Sequence, residues 1–275
     1  MWLARLPRAG PGDTSQIEHL RSDLYAEMRQ DRDLRDACAA LLQLDAILLA
    51  RVFEQGEDPD TRAVRAASAL LTVLRSADTH SACAPGFIDP FTVVTTCAAL
   101  ATTEFKDRWA VPHESIVPAV RMAEEAWAPP TGSTDLITNA PMSWDEDGII
   151  AILGLRQAAR IEQALRMLPE ESGITLVLVS DDPAERAPMA RMILSELLDP
   201  LRRSTPAGAL TGLSLVLDHD GAVARAAGLR SATDDTHIAL RIKERRIIER
   251  AEGAAACHAI AAKQSTRDEP ASTRQ

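Results

Sequence analysis

Two short apolar runs, residues 149–153 and 174–179, lie on either side of a stretch of mixed character. Both runs are almost uninterrupted and rich in β-branched residues, which is typical of strands buried on both faces of a mainly parallel sheet. Between them apolar residues recur at helical spacing, at Leu155, Ala158, Ile161, Ala164, Leu165 and Leu168. The pattern predicts a strand, a helix that covers one face of the sheet, and a second strand, joined by a right-handed crossover.

The residues that follow continue this alternation. Asp182 and Pro183 suit the cap and first position of a helix, and a helix is predicted from there to residue 203, with a kink or a restart at Pro188. After it the pattern predicts a third buried strand, a short helix ended by Gly228, a hairpin of two alternating strands, and a closing helix. These elements occupy residues 213–217, 222–227, 237–242 with 246–250, and 254–262.

The N-terminal half has a different pattern, because every periodic segment in it is helical. The predicted helices cover residues 14–30, 31–55, 60–77, 90–105 and 115–128. Short breaks between them imply a bundle of antiparallel neighbours. We therefore predict an α + α/β protein with a flexible arm (1–13), a helical bundle domain (14–128), a linker (129–134), an α/β sandwich domain (135–262) and a disordered polar tail (263–275).

Composition narrows the possible partners. A net charge of −10 with no basic block disfavours nucleic acid, and four Trp, four Phe and one Tyr leave little for base stacking. The N-terminus has no signal-like apolar segment, and the most apolar run, residues 41–52, is too short to span a bilayer. We expect a soluble, cytoplasmic protein that binds no nucleic acid or membrane, with a protein partner or its own copies as the expected partner.

The four cysteines, at positions 38, 83, 97 and 257, form no ligand-like pair, so reduced and mostly buried thiols are expected. His80 and Cys83 fall in a predicted loop, residues 78–89, and could begin a metal site. Zinc needs three or four ligands, however, and a plain surface loop is favoured. The sequence thus predicts no metal site, cofactor or catalytic constellation.

Asp45 is the candidate buried acid. It falls opposite the polar side of the predicted helix 31–55 and shares its apolar stripe with Leu41 and Val52. An ionised carboxylate there is costly unless it is paired or its pKa is shifted. One interpretation is an acid that lines a pocket; the favoured one is an internal ion pair or hydrogen bond to a neighbouring helix, for example with an Arg of the third helix, or a subunit contact.

The order of elements in the C-terminal half resembles that of the thioredoxin-like redoxins of the peroxiredoxin and TlpA type. The likeness spans about residues 135–262 and is strongest at LVLVSDDPAE, LSLVLDHDGAVARAAGL and HIALRIKERRIIERAEG. Redoxins commonly show a strand ending in Asp, a glycine turn, a VARAxGV-like motif, a cis-proline loop and a hairpin ending in Gly. The resemblance implies a thioredoxin-like sandwich, and it does not include the helical half.

The chain departs from the family where the redox chemistry resides. Active redoxins place a low-pKa cysteine at the start of the helix after the first core strand, where the helix N-terminus stabilises the thiolate. Residues 154–159 here contain no cysteine, serine or threonine. The family's Thr-Pro-Thr before the hairpin reads Asp-Asp-Thr at 234–236, and a non-proline cis bond costs about 2.5 to 4 kcal/mol, so a trans loop is expected.

Three functions compete at this point. The first is a redox-inactive thioredoxin-like module for a protein partner and not an enzyme, with a contact patch of Arg156, Arg160, Asp234 and Asp235 unless these only form a solvated salt bridge. The second is an enzyme or ligand-binding protein with its site around Asp45 or between domains. The weakest is a thiol oxidoreductase or peroxidase that uses the displaced Cys83.

Overall fold

The structure is a computed structural model, and it describes residues 30–55, 61–168, 172–205 and 210–268. The chain divides into two compact units, a helical unit built mainly from Leu42–Trp109 and a sheet unit built mainly from Ala110–Ser195 and the residues from 210 onward. The boundary between Trp109 of the helical unit and Ala110 of the sheet unit therefore lies earlier in the chain than the predicted linker at 129–134. Ala37–Leu41 group with the sheet unit and residues 196–205 with the helical unit.

The described helices are α1 (Arg32–Phe53), α2 (Val64–Cys83), α3 (Pro90–Ala101), α4 (Glu162–Leu165), α5 (Pro183–Ser204), α6 (Ala222–Ala226) and α7 (Ala256–Asp268). The strands are β1 (Arg121–Ala126), β2 (Thr134–Asp135), β3 (Ala140–Pro141), β4 (Gly148–Gly154), β5 (Ile174–Val179), β6 (Leu213–Leu217), β7 (His237–Lys243) and β8 (Arg246–Glu252). Short 3-10 segments occupy Glu114–Ile116 and Leu155–Ile161. The chain is thus α+β, with helices first and a sheet region after them.

Carboxylate side chains accept hydrogen bonds from the backbone amides at the starts of the helices of the helical unit. The Asp31 side chain accepts hydrogen bonds from the Asp33 and Leu34 amides, at 2.8 and 3.2 Å, and so caps α1. The start of α2 has no local cap, but the buried carboxylates of Glu54 and Asp107 accept from the Ala63 and Arg65 amides, at 2.7 and 2.8 Å. These bonds satisfy amides that an isolated helix would leave unpaired.

The helical half differs from its prediction in two described places. Residues 78–83 continue α2, so His80 and Cys83 lie on a helix and not in a loop; no helix breaker occurs before Pro85. The predicted helix 115–128 is wrong, because it becomes a 3-10 turn and the edge strand β1. Pairing with β8 overrides the local helix preference there, and Pro118 was the missed signal. The predicted helix 14–30 lies outside the described residues, apart from its last position.

Among the described residues, six strands form a mixed sheet in the order β1-β8-β7-β4-β5-β6. The three predicted core strands β4, β5 and β6 are parallel, and the predicted hairpin β7–β8 is antiparallel and lies beside β4. The outer edge of β6 is occupied by the β2 segment, since the Leu136 amide donates to the Leu215 carbonyl at 2.7 Å. The strand at the other edge is β1.

Helices cover both faces of this sheet, as the apolar strand runs predict. Ile150 and Ile152 of β4 join a buried cluster with Val223 and Ala224 of α6. The alternate position Leu153 is equally buried, and α7 packs against β4, β7 and β8. Successive strand residues point to opposite faces, so α6 and α7 lie on opposite sides. The core of the sheet unit therefore has two apolar layers.

The connection from β4 to β5 is helical, but its first two turns are a 3-10 helix. Leu155, Ala158 and Ile161 are fully buried and lie three residues apart, which matches the three residues per turn of that helix. Further on, α5 continues through Pro188 without a break, and α7 extends to Asp268, so the first six residues of the predicted disordered tail are helical. Residues 269–275 lie outside the described residues.

Candidate functional site

The loop 233–236 lies directly over the C-terminal end of β4. The Gly154 amide donates to the Thr236 carbonyl at 2.7 Å, and the Arg156 amide donates to the Asp234 carbonyl at 3.1 Å. A Cβ added to Gly154 would lie closer than 3.0 Å to the backbone of Asp234 and Thr233. Only glycine fits at this position, and the loop occupies the space above it.

Two arginines from different elements form ion pairs with this loop. Arg156 binds Asp235 with both ends of its guanidinium, and its Nε lies 3.0 Å from Asp235 Oδ1. Arg186 forms ion pairs with Asp234 and, at 3.0 Å, with Asp181. The Arg156–Asp235 pair is forked and charge-assisted, a geometry that fixes the orientation of both side chains and is stronger than a single neutral hydrogen bond. The loop is therefore fastened both to the start of the 3-10 segment and to α5.

The electrostatics follow from these pairs. The hydrogen bond from Arg156 lowers the pKa of Asp235, with smaller contributions from the Gln157 amide and the charge of Arg156. Asp235 is nevertheless mostly exposed, so water screens its pairing with Arg156. The Asp234 side chain is fully buried and accepts from Arg186 inside the fold. At this end of the sheet the Asp234–Arg186 pair has its carboxylate in the interior, whereas the Asp235–Arg156 pair has its carboxylate at the surface.

The predicted contact patch therefore needs one correction. Arg160 and Asp235 are exposed, and Arg156 is partly exposed, so these three can reach a partner. Asp234 cannot, because its side chain has no exposed surface; its backbone and carboxylate are used to hold the loop. The solvated salt bridge that was the alternative interpretation of this patch is present as the Arg156–Asp235 pair.

His237, the first residue of β7, was not singled out by the sequence. Its side chain is buried, and neither ring nitrogen has a hydrogen-bond partner within the described parts of the chain. Burial, assisted by the positive charge of Arg160, lowers its pKa to about 4. The imidazole is thus neutral at physiological pH, and it lies beneath the same end of the sheet as the loop.

Arg186 was also missed, although a signal for it exists. It lies in the first turn of the helix that follows β5. Because parallel strands end at the same edge of a sheet, residues just after β5 come close to those just after β4. A basic residue there was a candidate partner for the acidic loop 233–236.

Asp45 lies in the helical unit, apart from the loop. It has no exposed surface and binds Arg75 of α2, whose Nε lies 3.6 Å from Glu196. Its helical phase predicted burial with a basic or hydroxyl partner, and Arg75 belongs to the third predicted helix, which was given as an example of where such a partner would lie. It belongs to an acid–base–acid triad in which Asp45 is buried and Arg75 and Glu196 are partly buried, which favours the internal ion pair over a pocket-lining acid.

The thiols are mostly protected by packing. Burial raises the pKa of Cys38 to about 11 and that of Cys257 to about 12, and it also raises the pKa of Cys97. The Cys38 thiol contacts the Met189 sulfur at 3.4 Å. Cys83, near the end of α2, is the exposed one. Thiolate chemistry at neutral pH therefore has little support at the other three positions.

In the parts of the chain that the structure describes, no group of three or more His, Cys, Asp or Glu side chains is arranged to hold a metal ion. None of the described helices is long and apolar enough to cross a lipid bilayer. Comparison with protein-family models and with curated protein sequences gives no match.

Proposed function

We propose that residues 135–262 form a thioredoxin-like domain of the redoxin type without a redox site, and that the protein acts as a binding module for a protein partner. The order of strand, helix, strand, helix, strand with short helix, hairpin and helix supports the fold. The function rests on one observation, the closed loop over Gly154. A reacting thiol needs an accessible position at this helix start, and the loop fills it.

The charged surface beside that loop supports a role in binding. Arg160 and Asp235 are exposed next to an anchored backbone, so their positions are set by the fold. Opposite charges held in place on a rigid surface provide orientation and specificity in protein association. The partner expected from this chemistry is a protein surface with complementary acidic and basic groups.

Redox inactivity is tested with insulin and peroxide reduction by the full chain. We expect no turnover above a protein-free blank, because the helix start carries no thiol. The controls are Cys83→Ser and a variant with all four cysteines replaced by serine. Turnover that disappears on loss of Cys83 would overturn the proposal in favour of a displaced thiol enzyme.

Partner binding is tested by affinity capture from host extract with the tagged full chain. The informative variant is Arg160→Glu, which reverses an exposed charge beside the loop. The matched control is Arg191→Glu, the same reversal at an exposed position of α5. We expect a partner that Arg160→Glu loses and Arg191→Glu retains; equal capture by both variants would remove this surface from the proposal.

A further inference from the structure

Helix α3 (Pro90–Ala101) is unusual among the described helices in that none of its residues is charged. It packs on α2 through one side only, where Val93 joins Leu74 and Ala77. The opposite side is open, with Phe91 78% exposed and Val94 40% exposed. Phe87, in the turn that precedes α3, is 72% exposed, and its ring centroid lies 5.9 Å from that of His80 on α2. We define the α3 face as Phe87, Phe91 and Val94 with the small side chains around them.

Two of the three threonine hydroxyl groups on this helix are satisfied by hydrogen bonds within it. Thr95 donates to the Phe91 carbonyl at 2.9 Å, and Thr92 donates to the capping carboxylate of Asp89 at 2.6 Å. Such bonds within the helix satisfy the donors locally. Burying the α3 face therefore removes apolar surface from water without leaving these two hydroxyls unpaired. An apolar, uncharged outer side does not stabilise a helix whose outer side faces only solvent.

We propose that the α3 face is a self-association surface, through which two copies of the chain form a weak symmetric dimer. This proposal does not depend on the proposed function, since α3 belongs to the helical unit. Charge favours a second copy at this place. Each copy carries a net charge of −10, so most contacts between copies repel. An α3–α3 contact about a twofold axis brings two uncharged helices together, and the same patch serves both subunits.

The available area sets the strength of this dimer. With roughly 200 Å² for a Phe side chain, the two exposed rings offer about 300 Å² per copy. Val94 and the neighbouring small residues raise the total for two copies to the order of 1,000 Å², the lower limit for a specific interface. The dimer should therefore be reversible on dilution, with two aromatic anchors near its centre.

The test is sedimentation velocity on the full chain over about 5 to 500 μM, a range that covers a weak dimer. We expect the wild type to sediment faster as concentration rises. Phe87→Ser combined with Phe91→Ser should raise the dimer dissociation constant at least about tenfold. The matched control is Met122→Ser, a large apolar side chain 67% exposed on β1, which should leave the dimer unchanged.

A cross-linking measurement covers the case in which the serine variants misfold. In a background with Cys83→Ser and Cys97→Ser, Val94→Cys should give a disulfide-linked dimer on mild oxidation, while Met122→Cys should not. A wild type that stays monomeric up to the highest concentration would overturn the proposal. So would a dimer that the two Phe substitutions leave intact, or equal cross-linking at positions 94 and 122.

Discussion

Asp45 is a buried acid whose negative charge must be compensated by neighbouring side chains. Its carboxylate has no exposed surface, and Arg75 supplies the compensating charge, with Glu196 beyond it. Removing the acid would leave the mostly buried Arg75 without its main partner. The stability of the helical unit should therefore depend on this residue more than on surface charges of the same helix.

We predict that Asp45→Ala lowers the free energy of unfolding by about 1 to 3 kcal/mol, because the partner is left incompletely satisfied. Urea denaturation measures the change. Asp36→Ala is the matched control: it lies on the same helix and loses only an exposed pair with Arg32, so about 0.5 kcal/mol or less is expected. Equal losses for the two variants would contradict the internal ion pair.

His237 makes stability depend on pH. Its folded pKa is about 4, below the ordinary value of 6.5, so between these values the unfolded chain binds more protons than the folded chain. The stability contribution of the neutral imidazole is therefore complete above pH 6.5 and is lost as the pH falls toward 4.

We predict that the free energy of unfolding falls by about 2 kcal/mol between pH 7 and pH 5 through this group alone. Urea titrations at several pH values, compared with His237→Gln, isolate the contribution. The control His219→Gln changes an exposed histidine and should keep the wild-type pH dependence. A pH dependence that His237→Gln retains in full would show that the buried imidazole is not its source.

At the scale of elements, the sheet end is closed by backbone contact and not by side chains alone. The loop 233–236 touches β4 so closely that Gly154 cannot carry a Cβ. The Asp234–Arg186 and Asp235–Arg156 pairs then fasten the loop. Strand, loop and helix starts thus depend on each other at this edge, and one added methyl group should disturb them all.

We predict that Gly154→Ala destabilises the protein by about 1 to 3 kcal/mol, the usual cost of forcing extra volume into a packed site. The loop should also become a better substrate for limited proteolysis, because its backbone bonds to residues 154 and 156 would lengthen. Unchanged urea stability together with an unchanged cleavage pattern would mean that the loop accommodates the added methyl group without loss of stability.

The 3-10 segment Leu155–Ile161 shows how far an element can be recognised locally. Its apolar spacing predicted a helix on one face of the sheet, and a helical connection is present. The segment is a 3-10 helix and not an α-helix, and its three buried residues recur at intervals of three. The same spacing also fits part of an α-helical stripe, so the apolar pattern does not distinguish the two kinds of helix. Packing of these residues against the sheet determines which winding is used.

At the scale of the whole molecule, the cysteines report the packing of both units. Cys38 and Cys257 are buried, Cys97 is partly buried, and Cys83 is exposed. A thiol reagent that reacts only with accessible thiolates should distinguish these environments in one experiment.

We predict that one thiol per chain reacts rapidly with Ellman's reagent at pH 8, that a second reacts slowly, and that the last two react only after unfolding in denaturant. The order should be Cys83, then Cys97, then Cys38 and Cys257, because burial raises the pKa of the last three. Cys83→Ser should remove the fast phase. Fast labelling of Cys257 in the native state would show that α7 opens readily.

The sequence by itself determined the elements whose patterns are strong over their whole length. The apolar runs that became β4, β5 and β6 can only be buried, and the alternating pair β7–β8 has the length and turn of a hairpin. Asp45 was assigned to the interior because helical phase is a local property. The absence of a thiol from residues 154–159 is likewise a statement that needs no structure.

Only the tertiary structure decided features that join distant residues. The segment that became β1 has good helix formers, and it is a strand because β8 offers it a partner. The burial of Asp234, the roles of Arg186 and His237, and the fit of the loop over Gly154 depend on residues up to about 80 positions apart. Propensity and periodicity act over one or two turns of chain, so they carry no information about such contacts until the sheet brings its ends together.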